Sequence, residues 1–309
     1  MTQLSIKNSE LKNAPWMRLF DGGDFSTWKK SKEYAFIALN AAPQIRLESL
    51  ENPDSDSVRN IKNQCSLVNF AVYEAPETEE TVDQIGKKLL GFASYFGLTL
   101  KEGHRSASED GVVALTPSSE KSKQGYIPYT PKALNWHTDG YYNPSSTPVN
   151  AFILHCHTQA DVGGVNELID PEVAFMRLYE ADPKMAAAFF HPEAMTIPAN
   201  VEKNGTVRPA SIGPVFFFDD TSGRLQMRYT ARTRSIEWRQ DPATQDAAHW
   251  MREWLNSDEE FKIRIKLKAG QGILNNNALH NRTGFEDDPD KGARRIMLRV
   301  RFHDRIEED

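Results

Sequence analysis

The stretch NWHTDGYYN, residues 135–143, places a histidine and an aspartate two positions apart among large aromatic side chains. Residues two apart on a β-strand project to the same face, so His137 and Asp139 could both reach one metal ion. The pair alone is a weak signal, and a solvated strand end is the alternative interpretation. A metal site would need a third ligand elsewhere in the chain.

A candidate third ligand lies in GILNNNALHNRTGF, residues 272–285, where His280 follows a short apolar strand and a polar turn. Two imidazoles and one carboxylate on one face, with open positions opposite, are the arrangement of non-haem Fe(II) oxygenases. Two other histidine patterns compete with it. His155 and His157 also share a strand face, although packed imidazoles are the favoured interpretation there. The segment HPE, residues 191–193, contains a proline that breaks regular strand pairing.

The segment ARRIMLRVRF, residues 293–302, alternates apolar residues with arginines. By strand periodicity, Arg295 and Arg299 share a face and lie four residues apart. Arginines on one side of a packed strand need anionic partners, because an unpaired buried guanidinium is costly. A solvent-facing basic strand is the alternative, above all for Arg301.

The whole composition bounds the class of protein. The chain has 309 residues, of which 39% are hydrophobic and 26% charged, and these ordinary values exclude disordered and fibrous classes. Its net charge of −6 argues against a nucleic-acid partner. Two cysteines are too few for a disulfide framework. No apolar run reaches signal-peptide length at the start or membrane-spanning length elsewhere, which predicts a cytoplasmic protein with no membrane partner.

Strand-like runs dominate the second half of the chain without regular strand–helix alternation. They are Asn150–His157, Pro214–Phe218, Leu225–Thr230, Phe261–Leu267, Gly272–Asn276 and Arg295–Phe302. This pattern favours a mainly β fold with an antiparallel core and flanking helices over a doubly wound parallel sheet. Helical spacing predicts helices over residues 80–96, over 172–190 with an interruption near Pro183, and over 243–255. Residues 58–73 are interpreted as short strands.

The domain organisation predicted from the sequence is simple. No repeat or Gly/Ser linker divides the chain, so a single domain over residues 1–309 is expected. Residues 1–120 would form an N-terminal elaboration with strands and a helix. Residues 121–309 would form the catalytic core.

Five segments in order resemble a known family: NWHTDGYYN, FILHCH, GGVNELID, LHNRTGF and RRIMLR. The chain is similar here to the taurine dioxygenase-like family of Fe(II)/2-oxoglutarate oxygenases, from about Tyr126 to Asp304. The LHC, GG-x-N and LHxRT-F segments look closest to its gamma-butyrobetaine-hydroxylase-like branch. The resemblance implies a double-stranded β-helix, or jelly-roll, core with iron bound by His137, Asp139 and His280.

The resemblance also implies how 2-oxoglutarate binds. Arg295 would bind the distal carboxylate, for which a bidentate guanidinium is suited. Asn166 stands where taurine-type members have a threonine that helps hold that carboxylate, and an amide can donate the same hydrogen bond. Arg299 matches the arginine that helps bind the sulfonate in the taurine enzyme. Extra residues around Glu286–Gly292 lengthen the loop before the arginine pair.

The activity implied by the family uses Fe(II), 2-oxoglutarate and O₂. The co-substrate is decarboxylated to succinate and CO₂ while a substrate C–H is hydroxylated, with C–S, C–N or C–O cleavage where the product collapses. Two alternatives stay open. One is a non-catalytic sensor of iron and 2-oxoglutarate, and the other a zinc-dependent jelly-roll hydrolase or isomerase, against which Arg295 argues. The resemblance is also compatible with a homo-oligomer.

Two features bear on the substrate and point in different directions. One is a set of arginines around Tyr229 that share a face if the chain is extended, and with Arg299 it favours a carboxylate, sulfonate or phosphonate. These arginines are Arg228, Arg232 and Arg234. The other is a set of aromatics that could form a cage for a quaternary ammonium. They are Tyr126, Tyr129, Trp136, Tyr141 and Tyr142. Solvated or packed side chains are the alternative for both. We predict a small anionic or zwitterionic metabolite.

Overall fold

The computed structural model describes residues 15–20, 23–41, 44–103, 111–118, 120, 126–201, 205, 207–232, 234, 236–288, 290 and 294–307. The lengthened loop expected around Glu286–Gly292 lies partly outside the described residues, since 289 and 291–293 are not among them. Within the described part, no helix is long and apolar enough to span a bilayer.

Six α-helices lie within the described residues. They are α1 (Phe25–Ala41), α2 (Ser55–Val68), α3 (Val82–Ser94), α4 (Pro171–Ala181), α5 (Pro183–Phe189) and α6 (Pro242–Leu255). All six begin after a side chain that accepts a hydrogen bond from a first-turn N–H group. These caps are Asp24, Asp54, Thr81, Asp170, Asp182 and Asp241. Helices α4, α5 and α6 begin with proline, whose missing N–H costs nothing at that position. Two 3₁₀ turns, Pro15–Phe20 and Ile127–Tyr129, complete the helical segments.

The helices confirm three predictions and correct one. Helix α3, the pair α4 and α5, and α6 lie where helical spacing predicted them. The prediction of strands over residues 58–73 is wrong for most of its length, because residues up to Val68 form α2. Buried Ile61, Cys65 and Val68 recur at three- and four-residue intervals, which is a helical stripe. The N-terminal segment therefore contains α1, α2 and α3 where one helix was expected.

The same described residues contain nineteen strands. They are β1 (Ile45–Arg46), β2 (Phe70–Glu74), β3 (Val113–Leu115), β4 (Leu134–His137), β5 (Ala151–Thr158), β6 (Val162–Gly163), β7 (Asn166–Ile169), β8 (Met195–Ile197), β9 (Asn200–Val201), β10 (Val207–Arg208), β11 (Ser211–Gly213), β12 (Phe216–Phe218), β13 (Leu225–Met227), β14 (Glu237–Trp238), β15 (Ile263–Ile265), β16 (Gln271–Asn275), β17 (Leu279–Arg282), β18 (Phe285–Glu286) and β19 (Ile296–Phe302). Each of the six predicted strand runs overlaps one of them.

Two sheets form the core. The major sheet has the order β1-β2-β16-β5-β19-β3, and only its β1–β2 pair is parallel. The minor sheet has the order β15-β7-β17-β4 and is antiparallel throughout. Strands β1, β2 and β3 come from the N-terminal segment, so this segment is part of the major sheet. Shorter two- and three-stranded sheets pair β10 with β9, β12 with β13, β18 with β6, and β11 and β14 with β8.

The major sheet separates two apolar clusters. On its inner face, Phe152 of β5 contacts the ring of His280 in the minor sheet, with centroids 4.8 Å apart. On its outer face, Ile153 and Leu298 pack with Leu89 and Phe92 of α3. Alternation along each strand sends neighbouring residues to opposite clusters. The space between the two sheets is therefore where the candidate ligands meet.

Candidate active site

The structure brings the three predicted metal ligands together. One ligand atom from each of His137, Asp139 and His280 lies within 4.8 Å of the others. His137 ends β4 and His280 lies in β17, where the two are direct partners across the antiparallel pair. Directly opposed residues project to the same face of a sheet, and this brings together side chains far apart in sequence. Asp139 follows β4 by two residues and reaches the same point.

Both imidazoles have a fixed tautomer. The Nδ1 atoms of His137 and His280 lie 2.8 Å from the backbone carbonyls of Asn135 and Ala278. A carbonyl oxygen only accepts, so each Nδ1–H donates and each Nε2 keeps its lone pair. Burial, followed by the neighbouring His137, lowers the pKa of His280 to about 3. His280 is thus neutral at neutral pH, as metal binding requires.

The carboxylate of Asp139 is ionised and fixed in place. Burial alone would raise its pKa, but the charges of Arg299 and, to a smaller extent, Arg301 outweigh burial and hold the pKa well below its usual range. Arg299 Nη1 lies 3.1 Å from both carboxylate oxygens and donates to Oδ1, so Oδ2 has no hydrogen bond. The side chain of Asn277 accepts from the Asp139 N–H at 2.7 Å and donates to its carbonyl at 2.9 Å. Two neutral nitrogens and an unpartnered carboxylate oxygen suit a divalent transition metal.

The competing histidines lie outside this group. His155 projects to the outer face of the major sheet, where its Nδ1 is 3.0 Å from the Tyr73 hydroxyl. The two ring nitrogens of His157 lie near the Thr158 hydroxyl and the Glu80 carbonyl, at 2.9 and 3.0 Å. His191 Nδ1 accepts from the backbone N–H of residue 193. Each of these rings has a local partner in the protein.

Arg295 and Asn166, the residues expected to bind 2-oxoglutarate, are both buried. Arg295 is 4% exposed, and among the described residues no side chain forms an ion pair or a hydrogen bond with its guanidinium. Asn166 begins β7, and its buried Nδ2 has no hydrogen-bond partner. Gly164, at φ +70°, allows a close approach, because a Cβ there would lie 3.4 Å from Arg295 Nε. A carboxylate would satisfy both donors.

A second guanidinium that the sequence interpretation missed lies beside them. Arg282 is the register partner of Asn166 across β17 and β7. Arg282 and Arg295 both lie against the Phe285 ring, 4.8 and 4.9 Å from its centroid. Burial, then the charge of Arg295, lowers the pKa of Arg282 to about 10. The sequence could have pointed to Arg282, because it is the arginine of the LHxRT-F segment.

Two residues predicted to bind the substrate make contacts within the protein instead. Arg228 donates to the backbone carbonyls of Tyr141 at 2.8 Å, Ser211 at 2.8 Å and Met195 at 3.0 Å. Burial lowers its pKa to about 10. This arginine therefore holds the Tyr141 segment in place. Tyr229 is 1% exposed within the inner cluster.

The predicted aromatic cage is spread over different surroundings. Trp136 precedes His137 in β4, so it projects to the opposite strand face, where Lys262 Nζ lies 5.4 Å from its ring. Tyr129 packs in the inner cluster, and Tyr126 is 48% exposed. Tyr141 is the cage residue beside the metal group, with its ring edge-on to His137 at 6.5 Å. Tyr142 in turn lies edge-on to Tyr141 at 5.2 Å.

Arg232 lies close to the metal group. Thr230 is the bridge partner of His137, and hydrogen bonds at 3.0 and 2.8 Å on either side continue the pairing. Arg232 follows Thr230 by two residues, beyond the last of these hydrogen bonds. Its guanidinium lies 5.9 Å from the Tyr141 ring centroid. Arg234, at the end of the same run, is exposed.

The solvent-facing interpretation of Arg301 is wrong. Arg301 is 5% exposed and forms a buried ion pair with Glu102. Its Nη1 also donates to the Tyr142 hydroxyl at 3.2 Å. Glu102 in turn accepts from the Asn143 amide at 2.6 Å. Strand alternation places Arg301 on the same inward face as Arg295 and Arg299. It therefore predicted the burial of Arg301 correctly.

The backbone is similar to solved oxygenase structures. An asparagine oxygenase in complex with Fe(II), 2S,3S-3-hydroxyasparagine and succinate is 12% identical, with a TM-score of 0.57 over 88% of this chain and 90% of that one. A putative alpha-ketoglutarate-dependent taurine dioxygenase from Burkholderia xenovorans is 18% identical, with a TM-score of 0.56 over 84% and 85%. AAD-2 in complex with Mn(II) and N-oxalylglycine is 13% identical, with a TM-score of 0.57 over 86% and 95%. At these identities the likeness confirms the predicted jelly-roll fold.

The sequence itself assigns the family. No curated protein sequence matches the chain significantly. The model of the family described as "Taurine catabolism dioxygenase TauD, TfdA family" matches residues 82–301, which begin at α3 and include every predicted metal and 2-oxoglutarate ligand. The match covers well over half of the 309 residues. The chain belongs to the TauD/TfdA family of dioxygenases.

Proposed function

We propose that this chain is a single-domain Fe(II)- and 2-oxoglutarate-dependent oxygenase that oxidises a small anionic or zwitterionic metabolite. The observation that carries the proposal is the buried group of His137, Asp139 and His280, with both Nε2 lone pairs and one carboxylate oxygen available. These three residues would hold the iron. When bound, iron with 2-oxoglutarate and O₂ supplies the oxidising chemistry that hydroxylates a C–H bond and releases succinate and CO₂.

The protein's own groups would prepare the metal ligands. The backbone carbonyls of Asn135 and Ala278 keep each Nδ1 protonated, so that Nε2 faces the metal. Arg299 keeps Asp139 ionised, and Asn277 fixes the backbone on both sides of the carboxylate. Such supporting contacts raise metal affinity because the ligands need little reorganisation on binding. Burial of the group limits the access of water to the oxidising site.

Arg295 and Asn166 would bind the distal carboxylate of 2-oxoglutarate. Asn166 Nδ2 is a buried donor without a partner, and the buried Arg295 guanidinium forms no ion pair among the described residues, which is costly unless an anion binds. Arg282 adds a second positive charge beside Phe285. A dianionic co-substrate is thus favoured over a neutral one at this end of the site.

The substrate would bind beside Tyr141, on the metal face of the minor sheet. Arg232 and Arg299 are the candidates for contact with its acid group, and Arg299 Nε is a buried donor without a hydrogen bond. Arg228, Tyr229, Tyr129 and Trp136 hold or pack this region and are not proposed as substrate ligands, since their donors or faces are engaged by the protein.

The test is succinate release from 2-oxoglutarate by the purified protein with Fe(II) and ascorbate. It would be run with small sulfonates, carboxylates, phosphonates and betaines, beside the variant His137→Ala. The proposal predicts release that one compound stimulates and that the variant lacks. Calorimetry of 2-oxoglutarate binding to the wild type and to Arg295→Leu separates the parts of the proposal. Binding without release from any compound would indicate a sensor, and equal binding by both proteins would overturn the role of Arg295.

A further inference from the structure

We propose, building on the function above, that Arg208 and Arg232 form a subsite at the mouth of the metal site that binds the acid group of the substrate. The group would be a carboxylate, sulfonate or phosphonate. The same geometry excludes a quaternary ammonium at Tyr141 and Tyr142. Arg208 is new to the site, since no sequence motif pointed to it.

The two arginines lie over two tyrosine rings that touch each other. Arg232 Cζ is 5.9 Å from the Tyr141 ring centroid, and Arg208 Cζ is 5.8 Å from that of Tyr142. The rings are edge-to-face at 5.2 Å, and Tyr141 is itself edge-on to His137. A continuous series of contacts therefore connects both guanidiniums to a proposed metal ligand.

Neither guanidinium is neutralised by an acid, and that of Arg208 is held in place. Arg208 Nη2 donates to the Pro198 carbonyl at 2.9 Å, which fixes the side chain and leaves its charge. Among the described residues, no carboxylate lies within ion-pair distance of Arg208 or Arg232. Arg208 is partly exposed and Arg232 is exposed, so a ligand can reach both from solvent. Two positive charges over adjoining tyrosine rings, without an acid, attract an anion.

The phenol between them adds a donor. The Tyr141 ring lies beside both the Arg232 guanidinium and the Tyr142 ring, and a phenol O–H can donate to an acid oxygen. Hydrogen bonds to an ionised group are the strong ones, and a planar guanidinium matches a carboxylate or sulfonate.

The same contacts argue against a cationic headgroup. A quaternary ammonium binds over the faces of aromatic rings. Arg232 lies over Tyr141, Arg208 over Tyr142, and Lys262 over Trp136, so side-chain cations already cover three of the five aromatics. A trimethylammonium group there would meet like charge. The zwitterionic substrates that remain are those whose cation lies away from these rings.

The experiment measures how fast phenylglyoxal modifies each arginine of the full-length protein, read by mass spectrometry. The probes are methanesulfonate, acetate and methylphosphonate, with tetramethylammonium as the cation, all at equal ionic strength. At a probe concentration ten times its Kd, only about one tenth of the site stays free. Modification of Arg208 and Arg232 should therefore slow by about tenfold. Exposed Arg234 should react at an unchanged rate in the same digest. The three anions also show which acid group is preferred.

Two results would overturn the subsite. One is an unchanged rate at Arg208 and Arg232 with every anion, and the other is protection by tetramethylammonium. A second arm uses any compound that stimulates succinate release. Arg208→Ala and Arg232→Ala should each raise its KM by about tenfold or more, since each loses a charge-assisted contact, while surface Arg252→Ala leaves it unchanged. Failure of 2-oxoglutarate to bind, with protection of both arginines, would overturn the proposed function and leave the subsite standing.

Discussion

The two faces of the major sheet bury different kinds of side chain, although the same strands form both. On β19 the outer face carries Leu298, Val300 and Phe302, which pack under α3. The inner face of the same strand carries Arg299 and Arg301, and both are almost fully buried. Apolar burial stabilises a fold directly, whereas a buried ion pair is often no better than an apolar pair of the same size. The inner face is therefore built for chemistry at some cost in stability.

The inner arginines also differ from one another in their partners. Arg299 pairs with Asp139 and Arg301 with Glu102, whereas the Arg295 guanidinium forms no ion pair with a described residue and has only the more distant charge of Asp287. Paired guanidiniums position ligands and loops. The unpaired one at the end of the strand is where an anionic co-substrate fits. Four substitutions test whether the two faces of the major sheet have separate roles, and they follow in order of decreasing effect.

Phe92→Ala should have the largest effect, and on stability alone. Phe92 is fully buried against Tyr73 and Phe96 on the outer side, with ring centroids 5.1 and 5.0 Å away. Losing a buried phenylalanine costs about 3–5 kcal/mol of the free energy of unfolding. Chemical denaturation measures it, and Tyr95→Ala at the exposed end of the same helix should cost less than about 0.5 kcal/mol. A fall in metal affinity of the folded variant would contradict the separation of the two faces.

His155 should make the outer face sensitive to acid. Burial, then the charge of His157, lowers its pKa to about 4, below the ordinary value of 6.5. As pH falls through this window the unfolded chain binds the proton first, so the stabilisation is present above pH 6.5 and is lost towards pH 4. The slope is about 1.4 kcal/mol per pH unit, or about 3 kcal/mol in all.

Denaturation of the metal-free protein across this pH range measures the effect. His155→Gln should reduce the slope by the contribution of one proton, and the difference between the two proteins cancels the other titrating groups. An equal slope in the wild type and the variant would show that His155 titrates normally.

Arg299→Met should weaken metal binding. The substitution leaves the Asp139 carboxylate buried without its main counter-charge, which raises the pKa of Asp139 and disfavours the ionised ligand. Removal of a group that supports a metal ligand typically costs about 10–100-fold in affinity. Mn(II) titration would measure it, with Arg299→Lys as the control that keeps the charge. Wild-type affinity in Arg299→Met would mean that Asp139 needs no support from this strand.

Much of the inner face could be predicted from the sequence, because its ligands occur in ordered motifs. The family, the mainly β jelly-roll fold and the oxidoreductase class are confirmed. The meeting of His137 and His280 follows from strand pairing between distant segments, which the motif order implied. The roles of individual site residues and the closer gamma-butyrobetaine branch stay predictions.

The rest depends on contacts that no local pattern encodes. Residues 58–68 contain apolar positions that fit a strand or a helix, and packing of Ile61 and Cys65 under the sheet decides for the helix. Arg228 was expected in the substrate site because its neighbours are arginines. Three carbonyls from separate segments take up its donors instead. Asn277 and Glu102 act through partners more than 40 residues away in sequence.

Arg264→Ala should have the smallest effect, and it shows whether burial is what distinguishes Arg299. Arg264 also forms ion pairs, with Glu167 at 2.8 Å and Asp258 at 3.1 Å, but its side chain is 52% exposed on β15. Water screens such pairs, so the expected loss is about 0.2–1 kcal/mol, with metal affinity unchanged. Both arginines lie on core strands and contact carboxylates, so the difference between them is burial and proximity to the metal ligands. If Arg264→Ala weakened metal binding as much as Arg299→Met, then metal affinity would depend on the net charge of the protein. It would not depend on the buried arginines of the inner face.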